Sequence, residues 1–251
     1  QYMKTVTQSP TALSNLLSRR DIWRGYDRAV SRRVRPTGHT ELDALLLGGW
    51  PKTALIELAC HHQGIGELSL LLPTLEKHTQ AGELCILLDP PYQPHAPSWV
   101  SANIALENLV VVRSQWQRDW LWAAELSIRN GALLLAWPNH YKPSYSDLRK
   151  LQLAAIDNQQ SAFLFNRPEN LCSASPSPLR LEIHSHALHQ LDIRVHKFSG
   201  AIANSRVQIK SSLLEIERTP LNQLNVPICY PEDQSTGIHG RYENIDQTLN
   251  T

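Results

Sequence analysis

The sequence contains little that would place this protein in a membrane or hold it together by covalent cross-links. Its four cysteines are scattered along 251 residues without a CxxC pair, which argues against a disulfide framework and against a zinc site. No run approaches the roughly 18 apolar residues that a membrane helix needs. The N-terminal residues also lack the charged-then-apolar pattern of a secretory signal. We therefore expect a soluble, cytoplasmic protein that does not act at a membrane.

The chain has almost no net charge, but its charges are unevenly distributed. Lys and Arg number 24 and Asp and Glu number 23, so the net charge of +1 gives no global attraction to nucleic acid or anionic lipid. Residues 19–35, however, hold seven arginines against two aspartates, a local charge of +5. Beyond Pro231, four acidic residues against one arginine give −3 with few apolar residues, which is typical of a disordered tail.

Hydrophobic residues make up 42% of the chain, enough for a full core, and they are grouped in short apolar runs. These runs predict buried strands at 53–59, 84–88, 109–112, 132–136 and 161–165. Amphipathic segments predict helices at 66–79, 119–129 and 145–156. Such alternation indicates a parallel sheet covered on both faces. The adjacent runs 179–183 and 188–195 favour an antiparallel extension, and the proline-rich segment 89–97 predicts irregular structure.

The first strand-to-helix turn, residues 60–69, is where folds of this class bind ligands. A phosphate-binding loop reads GxxxxGK[ST], with the lysine on the phosphates and the hydroxyl on Mg²⁺. With Gly66 placed on the second glycine of that motif, His61 falls at the first. Glu67 then stands at the lysine position, where a carboxylate repels phosphate, and Leu68 stands at the hydroxyl position, where it cannot bind magnesium. Gly64 and Gly66 by themselves indicate only a tight turn.

Residues 35–57 read TG…LD…GGWP…E ahead of the glycine turn and resemble the lead-in to the core of RecA-type ATPases. Further segments resemble the ImuA family of bacterial RecA-like proteins, which are associated with error-prone translesion DNA synthesis. The resemblance spans residues 22–200, and the part from 83 to 195 is also similar to SulA, the damage-induced cell-division inhibitor. The segments are 22–25 (IWRG), 64–68 (GIGEL), 89–92 (DPPY), 122–126 (WAAEL), 129–132 (RNGA), 148–153 (LRKLQL), 167–168 (RP) and 175–180 (SPSPLR).

The resemblance implies an α/β fold with a RecA-like three-layer core and a mostly parallel central sheet at 36–200. An N-terminal basic arm at 1–35 precedes this core, and an antiparallel C-terminal extension at 201–251 ends in the acidic tail. The resemblance also implies a role in the SOS DNA-damage response. In that role an ImuA-type protein acts beside a catalytically inactive, polymerase-like partner of the ImuB type and an error-prone polymerase, with RecA as a further candidate partner.

The residues themselves argue against ATPase activity. A Walker B strand ends in an acid that organises Mg²⁺, whereas the run 132–136 continues into Trp137 and Pro138 without a carboxylate. Together with the degenerate turn, two separate elements of nucleotide chemistry are missing. We therefore expect a non-catalytic scaffold with no nucleotide, metal or other cofactor, which acts through protein–protein contacts.

The arginine-rich arm holds the candidate contacts to single-stranded DNA or to a partner. Arginines neutralise phosphates and aromatic rings stack on bases, and a charge of +5 predicts only weak, salt-sensitive DNA binding. The same pattern fits a solvated helix or an arm that docks on a neighbouring subunit, so self-association stays open. The candidate residues are Trp23, Arg24, Arg28, Arg32, Arg33 and Arg35.

The alternative function is that of a SulA-like inhibitor that binds the tubulin-like division protein FtsZ. Trp99, in the segment 98–100, matches a tryptophan of the SulA interaction region. Two basic positions of that region fall at Glu83 and near 108–109, so both positive charges are absent here.

Three further groups of residues receive a structural interpretation. The loop 166–178 lies where RecA places a DNA-binding loop, but it is poor in cations, so we interpret it as structural or as a partner contact, with Arg180 on a strand face. His184 and His186 would share one strand face, with His189 close by, yet no further metal ligand is indicated. Most of the tryptophans at 116, 120, 122 and 137 are predicted to be core, with Trp116 or Trp120 exposed at an interface.

Overall fold

The structure, a computed structural model, describes residues 33–139, 141–187, 190–198 and 205–210. Most of the predicted basic arm, most of the C-terminal extension and the whole acidic tail lie outside these residues. Within them the chain is a mixed α/β unit built on an eight-stranded sheet.

A short antiparallel pair, β1 (Val34–Arg35) and β2 (Trp50–Pro51), precedes the main sheet. The strands of the main sheet are, in chain order, β3 (Leu55–Cys60), β4 (Cys85–Leu88), β5 (Leu109–Val112), β6 (Leu133–Ala136), β7 (Ala162–Asn166), β8 (Leu179–Ala187), β9 (Gln190–Phe198) and β10 (Arg206–Lys210). The α-helices are α1 (Thr40–Leu45), α2 (Leu72–Gln80), α3 (Ala96–Ser101), α4 (Gln117–Arg129) and α5 (Tyr145–Asp157). Within the described ranges, no helix has the length and apolar composition needed to cross a membrane.

The main sheet has the strand order β10-β9-β8-β3-β7-β6-β4-β5. All neighbouring strands from β8 to β5 run parallel, whereas β9 and β10 are added antiparallel. This order confirms the predicted, mostly parallel sheet and the antiparallel run that follows Pro178. It also places β3, the strand before the glycine turn, in the interior of the sheet between β7 and β8.

Side chains alternate along the strands and feed two separate hydrophobic cores. Ile56 and Leu58 of β3 point into the core that contains Leu75 of α2 and Trp99 of α3. The neighbouring strand position Leu55 points to the other face, where α4 and α5 supply the buried side chains. Because strand residues two apart share a face, the parallel strands β3, β4, β6 and β7 each contribute side chains to both cores. Helices therefore cover both faces of the sheet, in three layers.

The residues before α2 differ from the prediction. The helix predicted at 66–79 is a short 3₁₀ turn over Glu67–Leu70 followed by α2, which begins at Leu72 with Pro73 in its first turn. Proline is compatible with that position, because the first helical N–H groups have no partner within the helix. For the same reason Pro97 stands in the first turn of α3, so the end of the segment 89–97 is helical rather than irregular.

Candidate functional site

The carboxyl ends of β3, β6 and β7 meet at a cavity of about 950 Å³. In open α/β sheets ligands bind beyond this edge of the strands, so the cavity is the default candidate site. His61 and Glu67 of the glycine turn line one side. Trp137, Phe165 and Arg167 also line the cavity.

The glycine turn is a tight turn that is closed by its own carboxylate. Gly64 and Gly66 have φ values of 79° and 94°, the left-handed region that favours glycine. Glu67 is only 5% exposed, and its Oε1 accepts a hydrogen bond of 3.1 Å from the Gly64 N–H. Its Oε2 is buried without a hydrogen-bond partner among the described residues. A negatively charged group of the protein thus takes the backbone donor that a bound phosphate would use.

The residues next to Glu67 also lack the groups that nucleotide binding needs. Leu68, at the position of the magnesium-binding hydroxyl, packs against the core. The hydroxyl of Ser69 is buried and donates to the Gly66 carbonyl at 2.6 Å. Burial, reinforced by the charge of Glu67, raises the pKa of the Cys60 thiol well above its usual range. That thiol is therefore neutral and is not a nucleophilic thiolate near neutral pH.

The end of β6, where a Walker B strand would carry its acid, is followed by an aromatic residue. Strand β6 ends at Ala136, and the Trp137 indole that follows stacks on Phe165 with ring centroids 4.4 Å apart. The nearby carboxylate of Asp89, at the end of β4, is already engaged. It accepts hydrogen bonds from the backbone N–H of Ser114, at 2.7 Å, and from the Ser114 hydroxyl. Asp89 therefore joins the ends of β4 and β5.

A buried ion pair holds the loop 166–178 against the sheet. Glu57 of β3 is 1% exposed, and its Oε2 accepts from Arg180 of β8 at 3.2 Å and from Asn166 at 3.0 Å. Arg180 also donates to the carbonyls of Asn170, Leu171 and Ser173 at 2.8–3.0 Å. The Arg180 guanidinium is thus engaged in hydrogen bonds within the protein, as the predicted strand-face position implies, and these bonds hold the loop in place.

A second polar cluster surrounds Glu182 of β8, beside the glycine turn. The Nε2 atoms of His61 and His184 lie 2.8 and 3.2 Å from Glu182 Oε1, and His196 Nε2 lies 2.8 Å from Oε2. The rings of His61 and His184 stack with centroids 4.1 Å apart. Burial acts to raise the pKa of Glu182. Hydrogen bonds from His61 and His196 and the attraction of His184 outweigh that effect and hold this pKa at about 2.

Of the predicted contact residues, the structure describes Arg33, Arg35 and Trp99. Trp23, Arg24, Arg28 and Arg32 lie outside the described residues. Arg33 donates to Gln159 at 2.7 Å, and Arg35 is partly buried 3.5 Å from His78. Trp99 is only 7% exposed and belongs to a hydrophobic core. Burial lowers the pKa of Arg35, although Glu83 acts in the opposite direction.

Neither a family model nor a curated protein matches this sequence. The site is therefore interpreted from its own geometry.

Sequence reasoning missed Glu57, Arg180 and Glu182 as members of buried polar clusters. A signal for Arg180 and Glu182 does exist in the sequence of β8. Arg180, Glu182 and His184 occupy alternate positions of a strand whose other positions, from 179 to 183, are leucine and isoleucine. Such alternation indicates one apolar and one polar face. Of the histidines considered for a metal, only His184 joins this cluster, since His186 is exposed elsewhere on the strand and His189 is outside the described residues.

Proposed function

We propose that this protein is a non-catalytic, RecA-like accessory factor of the SOS DNA-damage response. It supports error-prone translesion DNA synthesis through contacts with a polymerase-like partner of the ImuB type, and RecA is a second candidate partner. The observation that carries the non-catalytic part is the Glu67 carboxylate, which accepts the Gly64 N–H inside the turn. The link to translesion synthesis depends on the resemblance of residues 22–200 to the ImuA family.

The position of the glycine turn supports a RecA-like core. Strand β3 lies in the interior of a mostly parallel sheet, and the turn that follows it opens onto the cavity at the carboxyl edge. Helices cover both faces of that sheet. These are the features that the resemblance implies for residues 36–200.

Two independent features support the absence of nucleotide hydrolysis. A carboxylate in the turn repels the phosphates that a lysine would attract, and contacts of that kind stabilise the transition state of phosphoryl transfer. The stacked Trp137 and Phe165 place aromatic rings where Mg²⁺ and its carboxylate would be needed. A substitution that removes one of these features leaves the other in place.

Exposed apolar side chains on α4 and α5 support a function through protein contacts. Trp122 and Leu126 of α4 are 63% and 42% exposed, and Tyr145, Leu153 and Ile156 of α5 are about half exposed. The two helices pack against each other. Large apolar side chains that stay in water on neighbouring elements are typical of surfaces that bind another protein.

The first test is nucleotide binding by the full chain. A fluorescent ATP analogue is titrated to millimolar concentration with and without Mg²⁺ and single-stranded DNA, with a competent RecA-type ATPase as the positive control. The proposal predicts neither saturable binding nor phosphate release. Magnesium-dependent binding would contradict the non-catalytic assignment and would show that Gly66 has been placed on the wrong motif position.

The second test is partner binding, measured by pull-down and by size-exclusion chromatography with an ImuB-type protein. The proposal predicts a stable complex, and failure to bind would overturn it. Purified FtsZ is the comparison partner in the same assay, because a SulA-like inhibitor would block its polymerisation. Burial of Trp99 and engagement of Glu83 by His78 offer no support for that alternative.

A further inference from the structure

We propose that His61, Glu182 and His184 form a binding site for one divalent transition-metal ion of the zinc class. One ligand atom from each of the three residues lies within 4.8 Å of the other two. The residues come from the glycine turn and from β8, which are far apart in sequence. This proposal goes beyond the accessory function and replaces the expectation, drawn from the sequence, that no metal is bound.

The distances suit an ion placed between the three atoms. Both imidazole nitrogens converge on the same carboxylate oxygen, at 2.8 and 3.2 Å. Around a tetrahedral ion with bonds of about 2.0–2.1 Å, ligand atoms are separated by roughly 3.3 Å. The two nitrogen–oxygen distances therefore need to lengthen by only about 0.1–0.5 Å to admit an ion. His61 can accommodate that movement, because its side chain is 41% exposed.

The chemistry of the donors indicates which ions fit. Two imidazoles and one carboxylate are a ligand set for Zn²⁺, Co²⁺ or Ni²⁺. Mg²⁺ and Ca²⁺ prefer oxygen ligands only, so the two histidines disfavour them. Three protein ligands leave a fourth position for water or for a group from a bound molecule.

The surrounding residues fix the carboxylate in the orientation that binding requires. The second oxygen of Glu182 is held by His196 of β9 at 2.8 Å and faces Arg194 at 3.5 Å. Glu182 itself is only 8% exposed. Metal-binding carboxylates are typically held in this way by a second layer of hydrogen bonds. His196 is thus a positioning residue, which holds a ligand without binding the ion.

The test is a titration of the metal-stripped, full-length protein with Zn²⁺ by calorimetry, and with Co²⁺ by visible absorption. Co²⁺ reports the coordination geometry through its spectrum. The variants His61→Asn, His184→Asn and Glu182→Gln each remove one ligand. Their matched controls are His62→Asn and His186→Asn, because both histidines are exposed neighbours of a ligand and lie outside the cluster.

We expect one ion per chain, bound by the parent and by both control variants and lost in all three ligand variants. His196→Asn is expected to weaken binding by about 10–100-fold, as substitutions in the second layer do. Absence of stoichiometric binding by the parent would overturn the proposal. So would binding that survives both His61→Asn and His184→Asn, since the ion would then be held by other histidines of the chain.

Circular dichroism of each apo variant shows whether it is folded. His61 is on the surface, so His61→Asn decides the question even if Glu182→Gln does not fold. Because metal binding and ImuB-type partner binding are measured separately, failure of one leaves the other result standing.

Discussion

At the scale of single residues, the Glu67 carboxylate takes the hydrogen-bonding position in its turn that a bound phosphate would otherwise take. The carboxylate accepts the Gly64 N–H from within the chain, so the turn is satisfied without phosphate. Its second oxygen remains buried without a hydrogen-bond partner among the described residues. The buried carboxylate and the Gly64 N–H that it already accepts both disfavour an anion in this turn.

The first prediction concerns conversion of this turn to the phosphate-binding pattern. Glu67→Lys restores the cation of the motif, but we expect no ATP hydrolysis, because Leu68 and Trp137 still exclude a magnesium site. Phosphate release is measured with Mg²⁺ and single-stranded DNA against a competent RecA-type ATPase. Turnover by the single variant would contradict this expectation.

His78 provides a prediction for the dependence of stability on pH. Burial lowers the pKa of His78 below its ordinary value of 6.5, despite the hydrogen bond to the Leu84 carbonyl and the attraction of Glu83. Acidification therefore protonates this histidine in the unfolded chain first. The free energy of unfolding is expected to fall as the pH drops below about 6.5, by up to about 1.4 kcal/mol per pH unit.

The measurement is urea unfolding between pH 7.5 and pH 5. His78→Asn is expected to flatten the slope, and His186→Asn, at an exposed position, is the control. Equal slopes in the parent and in His78→Asn would contradict the assignment of the effect to this histidine.

At the scale of elements, the loop 166–178 depends on the buried Glu57–Arg180 pair. Breaking a buried pair leaves a charge without its partner, which typically costs about 3–5 kcal/mol. Arg180→Met is therefore expected to lower the free energy of unfolding by about that amount, and Arg149→Met on the exposed side of α5 is the matched control. Urea unfolding measures the loss, and limited thermolysin digestion at Leu171 tests whether the loop is released.

The double variant Glu57→Leu, Arg180→Met separates charge from packing. Since it leaves no unpaired charge, its stability is expected to exceed that of Arg180→Met. A double variant that is less stable than the single one would show that the hydrogen bonds of Glu57 to Asn166 and Ser175 outweigh the cost of leaving its charge unpaired.

The elements were predictable from the sequence where their signal is local. Strands β4 and β6 are continuous apolar runs, which is the pattern of a strand buried on both faces, and α5 begins with the capping box of Ser144 and Asp147. The start of α2 was wrong, because the two glycines and Pro73 delay the helix by a 3₁₀ turn.

The site was not predictable in the same way, because its contacts are set by strand order. His61 and Glu182 are 121 positions apart, and Glu57 and Arg180 are 123 positions apart. They meet because β8 lies directly beside β3. Local patterns predict the strands but do not state which strand adjoins β3.

At the scale of the whole molecule, the four tryptophans at 116, 120, 122 and 137 divide evenly between core and surface. Trp120 and Trp137 are buried, whereas Trp116 and Trp122 are 70% and 63% exposed. The expectation that most of them are core is therefore wrong, although the exposure of Trp116 was foreseen as one of two alternatives. Periodicity identified the helix, but it did not show which face of α4 stays uncovered.

Exposure of α4 leads to a prediction about partner binding. The variant Trp122→Ser, Leu126→Ser is expected to change the free energy of unfolding by less than about 1 kcal/mol, because neither side chain is buried. Its affinity for an ImuB-type partner is expected to fall by at least about tenfold. Leu47→Ser, another exposed apolar position, is the matched control. Unchanged affinity in the double variant would place the interface elsewhere.

The division of the core into two layers has a consequence for how damage accumulates in this protein. A substitution under α2 and a substitution under α5 share no side-chain neighbours, because the sheet stands between them as a partition. Losses of stability on the two sides should therefore add without compensation, as they do for independent sites. Neither core can repack to compensate for a loss in the other. A chain of ordinary marginal stability therefore tolerates one destabilising core substitution far better than one on each face of the sheet.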